Sequence, residues 1–168
     1  MKVVLALGSN VGRRFDTLQG AVDALFDAPG LEFTSVSPVY ETEPVGGPPN
    51  QRPYLNAVVV GRTMTLGPHA ILERALGVEA AFGRVRIEDW GPRTLDVDVI
   101  MVGDLLSEDP ELTLPHPLAH TRAFVLVPWS QIDPGAVLPG RGSVAGLLAD
   151  IDQRGVRLRA DLALQPPG

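Results

Sequence analysis

Cysteine is absent from this chain, so no disulfide framework, thiolate metal site or thiol nucleophile is possible. Long apolar runs are absent too, and no stretch reaches the length that spans a bilayer. A positive charge balance is lacking: the formal net charge is −6, which argues against wholesale binding to a nucleic-acid backbone. Lysine is almost missing, since Lys2 is the only one and the other thirteen cations are arginine. The apolar run after Lys2, Val3 to Leu7, is too short for a signal-peptide core and has no cleavage-like site behind it. Internal repeats, heptads and a domain linker are lacking as well. What remains is 168 residues, 45% of them hydrophobic, enough for one real core and too few for two. The expectation is a single cytoplasmic domain over residues 1–164, monomeric, with no membrane or nucleic-acid partner. The end, 165–168, is expected to fray.

What is present is well punctuated. Lys2 to Gly8 is a short β-rich run that ends in the turn Gly8-Ser-Asn-Val-Gly12, with Asn10 near a helix N-cap. Phe15, Leu18, Val22, Leu25 and Phe26 recur at helical spacing, and Pro29-Gly30 stops that helix. Phe33–Tyr40 and Tyr54–Thr63 read as strands. Between them, five Gly or Pro residues from Pro44 to Pro49 make a long loop, the kind that more often carries function than mere connection. Pro68 suits a first helical position, and the pattern Ile71, Leu72, Ala75, Val78, Glu79, Phe82 continues to Gly83. Thr94–Val102 is a third clear strand. A break at Pro115-His-Pro117, an apolar stretch at His120–Ile132, a short helix at Ser143–Ile151 and a weak strand at Val156–Arg159 follow. The order β-α-β-β-α-β predicts an α+β fold, a ferredoxin-like sandwich of mostly antiparallel sheet with helices on one face, plus a C-terminal extension.

The chemistry concentrates between Gly83 and Asp98. In a strand, residues i and i+2 share a face, so Asp96 and Asp98 project side by side with their Cα atoms about 7 Å apart, while Leu95, Val97, Val99 and Met101 take the other face. Two close carboxylates repel and are costly to bury unpaired. They suit water, arginines or a hard cation such as Mg²⁺. A bare Asp-x-Asp also marks the solvated face of a half-exposed sheet. Here the apolar surroundings and the upstream arginines favour metal. Arg84, Arg86 and Arg93 flank Trp90-Gly-Pro92 and offer planar donor forks for phosphate oxygens, although a basic loop paired with Glu88 and Asp89 fits the same residues. Gly8 to Gly12 lacks the Walker pattern and the dinucleotide fingerprint. His116 and His120 stand four apart, but Pro117 between them and the absence of a third nitrogen ligand nearby speak against zinc. Tyr54, Asn56 and Phe124 by themselves read as core or rim.

Taken together these motifs resemble a known family. Leu7-Gly-Ser-Asn10, Ser37-Pro-Val-Tyr40 through Thr42, Pro44 and Gly46, Tyr54-Leu-Asn-Ala57, Gly83-Arg-Val-Arg86, Trp90-Gly-Pro-Arg-Thr-Leu-Asp-Val-Asp98, Leu114-Pro-His-Pro117 and Arg122-Ala-Phe124 resemble the 6-hydroxymethyl-7,8-dihydropterin pyrophosphokinases of folate biosynthesis. The resemblance implies transfer of diphosphate from ATP to the pterin hydroxymethyl group, with AMP released. It implies that Asp96 and Asp98 hold two Mg²⁺ ions, Asp96 also lying near the substrate hydroxyl. It assigns ATP to Glu79, Arg84, Arg86, Trp90, Arg93, His116 and Arg122, with Arg84 and Arg93 catalytic beside the two aspartates. It assigns the pterin to Thr42, Val45, Tyr54, Asn56 and Phe124, the two aromatics sandwiching the ring. The chain departs from the family pattern at Leu76, often Gln, and at Asp89, commonly Arg. A nucleotide-sensing module and another Mg²⁺-dependent phosphotransferase on the same scaffold are the rival readings.

Overall fold

The structure, a computed structural model, describes residues 1–44, 51–82 and 94–168. Strand β1 (Lys2–Ser9) leads through α1 (Arg14–Leu25) to β2 (Glu32–Val36), β3 (Tyr40–Thr42) and β4 (Tyr54–Arg62). Helix α2 (Pro68–Ala81) then leads to β5 (Asp96–Val102). The sheet runs β5-β1-β4, with β2 and β3 both beyond β4, and every pairing is antiparallel. This is the expected ferredoxin-like order. The predicted strand Phe33–Tyr40 is in fact two, since Ser37 and Pro38 interrupt it. Proline has no N–H for a ladder, and the Ser37 hydroxyl accepts the Val58 N–H at 2.9 Å instead.

Every residue of β1 after Lys2 is buried, which demands cover on both faces of the sheet. Val3, Leu5 and Leu7 pack with Leu18, Ala21, Val22 and Leu25 of α1 and with Ile71, Ala75 and Val78 of α2. Their spacing of three and four is the apolar stripe read from the sequence. Val4 and Ala6 point the other way, into a second cluster with Val58, Val60, Val125, Leu126 and Trp129. That second layer corrects the expectation of helices on one face only. It is supplied by α3 (Ala123–Ile132) and α4 (Val144–Ala149), the latter capped by the Ser143 hydroxyl, which accepts the Gly146 N–H at 3.1 Å. Between β5 and α3 lie the hairpin β6 (Ser107–Asp109) and β7 (Leu112–Leu114) and a 3-10 turn at Ala119–Thr121. A small hairpin, β8 (Val137–Leu138) and β9 (Gly142–Ser143), precedes α4, and β10 (Arg157–Leu158) closes the sheet beside β3.

Three local expectations change. Val4 pairs with Met101 and Leu5 with Val99, so the register skips Ile100 and a bulge sends both Ile100 and Met101 into the second cluster. Met101 is therefore not on the face of Val97 and Val99. Asn10 precedes the α1 N-cap, Arg13, but does not cap the helix. It is buried, and its Nδ2 donates to Gln51 Oε1 and to the Arg52 carbonyl, each at 3.2 Å. The segment 165–168 meets α1: the Gln165 N–H donates to Gln19 Oε1 at 2.8 Å, and the Gly168 N–H donates to Asp23 Oδ1 at 3.3 Å. Among the described residues, no helix is long and apolar enough to cross a membrane.

Candidate active site

Strand register builds the site. Gly8 of β1 lies opposite Asp96 on one side and Asn56 on the other, and Asn56 lies opposite Tyr40. One residue pair along, Ala6 lies opposite Asp98. The central strand thus places its two smallest residues between the carboxylates and the amide, on the face that α3 covers further along. A Cβ at Gly8 would stand 3.5 Å from both Asn56 Oδ1 and Tyr54 Cδ1, so glycine keeps the floor open. Above this floor is a cleft of about 920 Å³ that reaches Thr42, Tyr54, Asn56, Glu79, Asp96, Asp98, His116, Arg122 and Phe124. Nine residues singled out in the sequence therefore share one cavity, although they come from five elements and two loops. Val45, Arg84, Arg86, Trp90 and Arg93 lie outside the described residues.

The charged half is half-exposed. Asp98 keeps 41% of its side-chain surface, and its Oδ2 lies 3.7 Å from Arg122 Nη1. The same guanidinium sits 5.4 Å over the Phe124 ring, a cation–π contact. Among the described residues no group of three or more His, Asp or Glu gathers as a metal cage. Two carboxylates alone fit Mg²⁺, which keeps its waters and takes its other oxygens from substrate phosphates, better than they fit zinc or a fully enclosed calcium.

Glu79 adds a feature with no sequence signal beyond its helical position. Only 6% exposed, it sends Oε2 to the Val97 N–H at 2.8 Å. Val97 lies between the two aspartates on the edge strand β5. Its amide points away from β1, and the α2 carboxylate receives it. Glu79 lines the cleft and also braces the backbone that carries Asp96 and Asp98.

His116 enters the site uncharged. Burial, reinforced by the positive charge of Arg122, lowers its pKa from 6.5 to about 4. Its Nδ1 accepts the Leu118 N–H at 3.2 Å, which puts the ring proton of the neutral form on Nε2. Toward a phosphate His116 is thus a neutral donor rather than a cation. His120, its companion in sequence, has a buried Nδ1 without a hydrogen-bond partner among the described residues.

The opposite half is buried and already paired. Asn56 is 5% exposed, and its Nδ2 donates to Thr42 Oγ1 at 2.8 Å. With one Nδ2 hydrogen on Thr42 and the other donated to the Tyr40 carbonyl at 3.5 Å, the amide carbonyl is the group left to read an N–H on a ligand edge. Tyr54, at the start of β4, and Phe124, in the first turn of α3, bring aromatic faces to the same cleft. Sequence reasoning missed Leu72, Leu112 and Leu118, which also line it. In α2 a signal was available beside Leu72: Leu76, 48% exposed, sits off the stripe of Ile71, Ala75 and Val78, whereas Leu72 also packs against the core.

Known proteins are similar to this chain over most of its length. Residues 4–134 match the family described as 7,8-dihydro-6-hydroxymethylpterin-pyrophosphokinase (HPPK). The chain is 43% identical to the 2-amino-4-hydroxy-6-hydroxymethyldihydropteridine pyrophosphokinase of Mycobacterium tuberculosis, covering 94% of this chain and 89% of that one. It is 41% identical to the protein of the same name from Synechocystis, covering 89% of this chain and 75% of that one. Its fold is similar to the crystal structure of wild-type Plasmodium falciparum HPPK-DHPS with pteroate, with TM-score 0.67 and 13% identity. That similarity covers 88% of this chain and spans 42% of the Plasmodium chain.

Proposed function

Because the chain belongs to the 7,8-dihydro-6-hydroxymethylpterin-pyrophosphokinase family, whose members are diphosphokinases, we propose that it transfers diphosphate from ATP to the hydroxymethyl group of 6-hydroxymethyl-7,8-dihydropterin in folate biosynthesis. The observation that carries the reading is the single row Asp96–Gly8–Asn56 across the sheet. It joins a carboxylate pair suited to a phosphate-bound cation to a buried amide suited to a heterocycle, with one glycine between them. One substrate's hydroxyl can then meet the other's phosphorus.

The pterin enters the buried half. Asn56 accepts a ring N–H, Thr42 holds that amide in orientation, backbone at Thr42 and Val45 reads the ring edge, and Tyr54 and Phe124 cover the ring faces. The triphosphate lies across the charged half, against Arg84, Arg86, Arg93 and Arg122, with Nε2–H of His116 as an uncharged donor and Trp90 closing over it. Glu79 belongs to the ATP side of the cleft. Asp96 and Asp98 would hold two Mg²⁺ ions, which supply charge neutralisation on the phosphate oxygens when bound. The pterin hydroxyl oxygen attacks the β-phosphorus in line. Its new bond forms as the bond from that phosphorus to the α–β bridging oxygen breaks, AMP leaves with that oxygen, and the hydroxyl proton is released to water. Arginine positioning and fixed charge carry most of the acceleration, because phosphoryl chemistry asks little covalent help of a protein. The enzyme works as a cytoplasmic monomer without membrane or nucleic acid.

The test is product identity. Purified protein with ATP, MgCl₂ and 6-hydroxymethyl-7,8-dihydropterin should release AMP in proportion to pterin diphosphate formed, both resolved by chromatography. ADP as the product, or AMP at background rate, would overturn the reading.

A further inference from the structure

On the far side of β3 from the cleft, Glu41 gathers three guanidinium groups. Its Oε2 lies 3.3 Å from Arg14 Nη1 and 3.0 Å from Arg159 Nη1, and its Oε1 lies 3.2 Å from Arg157 Nη2. Surface ion pairs contribute little on their own, but this one is sheltered: the Arg14 and Glu41 side chains are only 15% and 18% exposed. Although burial opposes it, the bonds from Arg157 and Arg14 and the charge of Arg159 hold the Glu41 pKa below its ordinary value. Arg14 Nη1 makes a second bond, to the Pro53 carbonyl at 2.8 Å. One guanidinium nitrogen thus holds residues 41 and 53 together.

Those two residues directly precede Thr42 and Tyr54, which pair with each other across β3 and β4. Strand β3 is only three residues long, and its outer edge is held by β10 through Glu41 opposite Arg157 and Tyr40 opposite Leu158. The Arg159 N–H donates to the Val39 carbonyl at 2.8 Å, which extends that hold. Arg157 and Arg159 lie beyond residues 4–134, the span matched by the family.

We propose that Arg14, with Glu41, Arg157 and Arg159, is a clasp that sets the spacing of Thr42 and Tyr54, making Arg14 a positioning residue for the pterin. The inference rests on the pterin assignment of Thr42, Tyr54 and Asn56. Arg14 itself is outside the cleft and touches no substrate. Its loss acts by letting β3 shift against β4, which misplaces the Thr42 hydroxyl that orients Asn56.

The test measures binding of 6-hydroxymethylpterin, a fluorescent and unreactive stand-in, together with steady-state kinetics. R14A should weaken pterin binding and raise the pterin KM roughly tenfold, as expected for loss of a charge-assisted hydrogen-bond pair, with kcat and the ATP KM within twofold. E41A should cost less, and the R14A/E41A double variant should lose less than the two single losses combined, since the residues act as one unit. Should R14A fail to fold, E41Q keeps the shape, removes the charge, and should weaken pterin binding about threefold. A lower melting temperature with unchanged pterin affinity in R14A or E41Q would make the cluster merely structural and overturn the proposal. N56A separates the two readings. If it binds pterin normally, the pterin assignment has failed; if only N56A is impaired, the clasp alone has failed.

Discussion

The two halves of the cleft are held in opposite ways. Asn56 and Thr42 are buried, neutral and bonded to each other, whereas Asp96 and Asp98 are half-exposed, charged and side by side. An amide buried with a partner costs little, but burying two carboxylates costs several kcal/mol per ion unless counter-charge arrives with them. The heterocycle end can therefore be pre-formed in the folded chain. The phosphate end instead keeps its carboxylates half-exposed, with Arg122 Nη1 3.7 Å from Asp98.

Breaking the charged half should have the largest effect. D96A and D98A should each lower turnover by roughly three orders of magnitude, the scale of removing transition-state charge stabilisation. Both should melt near the parent temperature, because neither side chain is core. Near-normal AMP release from both variants would sink the metal assignment. Breaking the paired half should show in affinity instead: N56A should weaken 6-hydroxymethylpterin binding roughly 100-fold, the upper range for a polar group left unpaired, and leave the ATP KM unchanged.

Glu79 tests whether the charged half has any pre-formed part. E79A should lower kcat by about 10- to 100-fold, the range for residues that orient metal ligands, whereas E79Q retains an acceptor for the Val97 N–H and should stay within a few-fold of the parent. Equal losses in both variants would mean that its charge acts on the nucleotide directly. The smallest effect concerns His116. With its pKa lowered to about 4, it stays neutral from pH 6 to 8 and should add no step to the pH–rate profile there. Its depressed pKa contributes stability above the ordinary value of 6.5, and that contribution is lost as pH falls from 6.5 toward 4. NMR of the imidazole protons would check this, and a midpoint near 6.5 would contradict it.

Much of the fold was legible because patterning and punctuation agreed. The α1 and α2 stripes, Pro68 and the unbroken apolar runs of β1 and β4 led to the right elements and strand order. The misses came where a single residue changed a ladder: Pro38 dividing one strand into β2 and β3, and the bulge at Ile100 turning Met101 to the other face. Asn10 was misread because a side chain near a helix start satisfies local capping rules, yet its partners, Gln51 and Arg52, are about forty residues away.

By itself the sequence determined that Asp96 and Asp98 share a face, that the chain carries no thiol chemistry, and, through its motif spacing, which family it resembles. These are local properties of a strand, a composition and a motif set. Only the tertiary structure decided that Gly8 separates Asp96 from Asn56, that Glu79 braces Val97, and that Arg14 joins Glu41 to Pro53. Each depends on register between strands or on a helix laid against a sheet edge. Such contacts between residues distant in sequence are set by how the two apolar faces of β1 are covered, not by any local preference of the residues that make them.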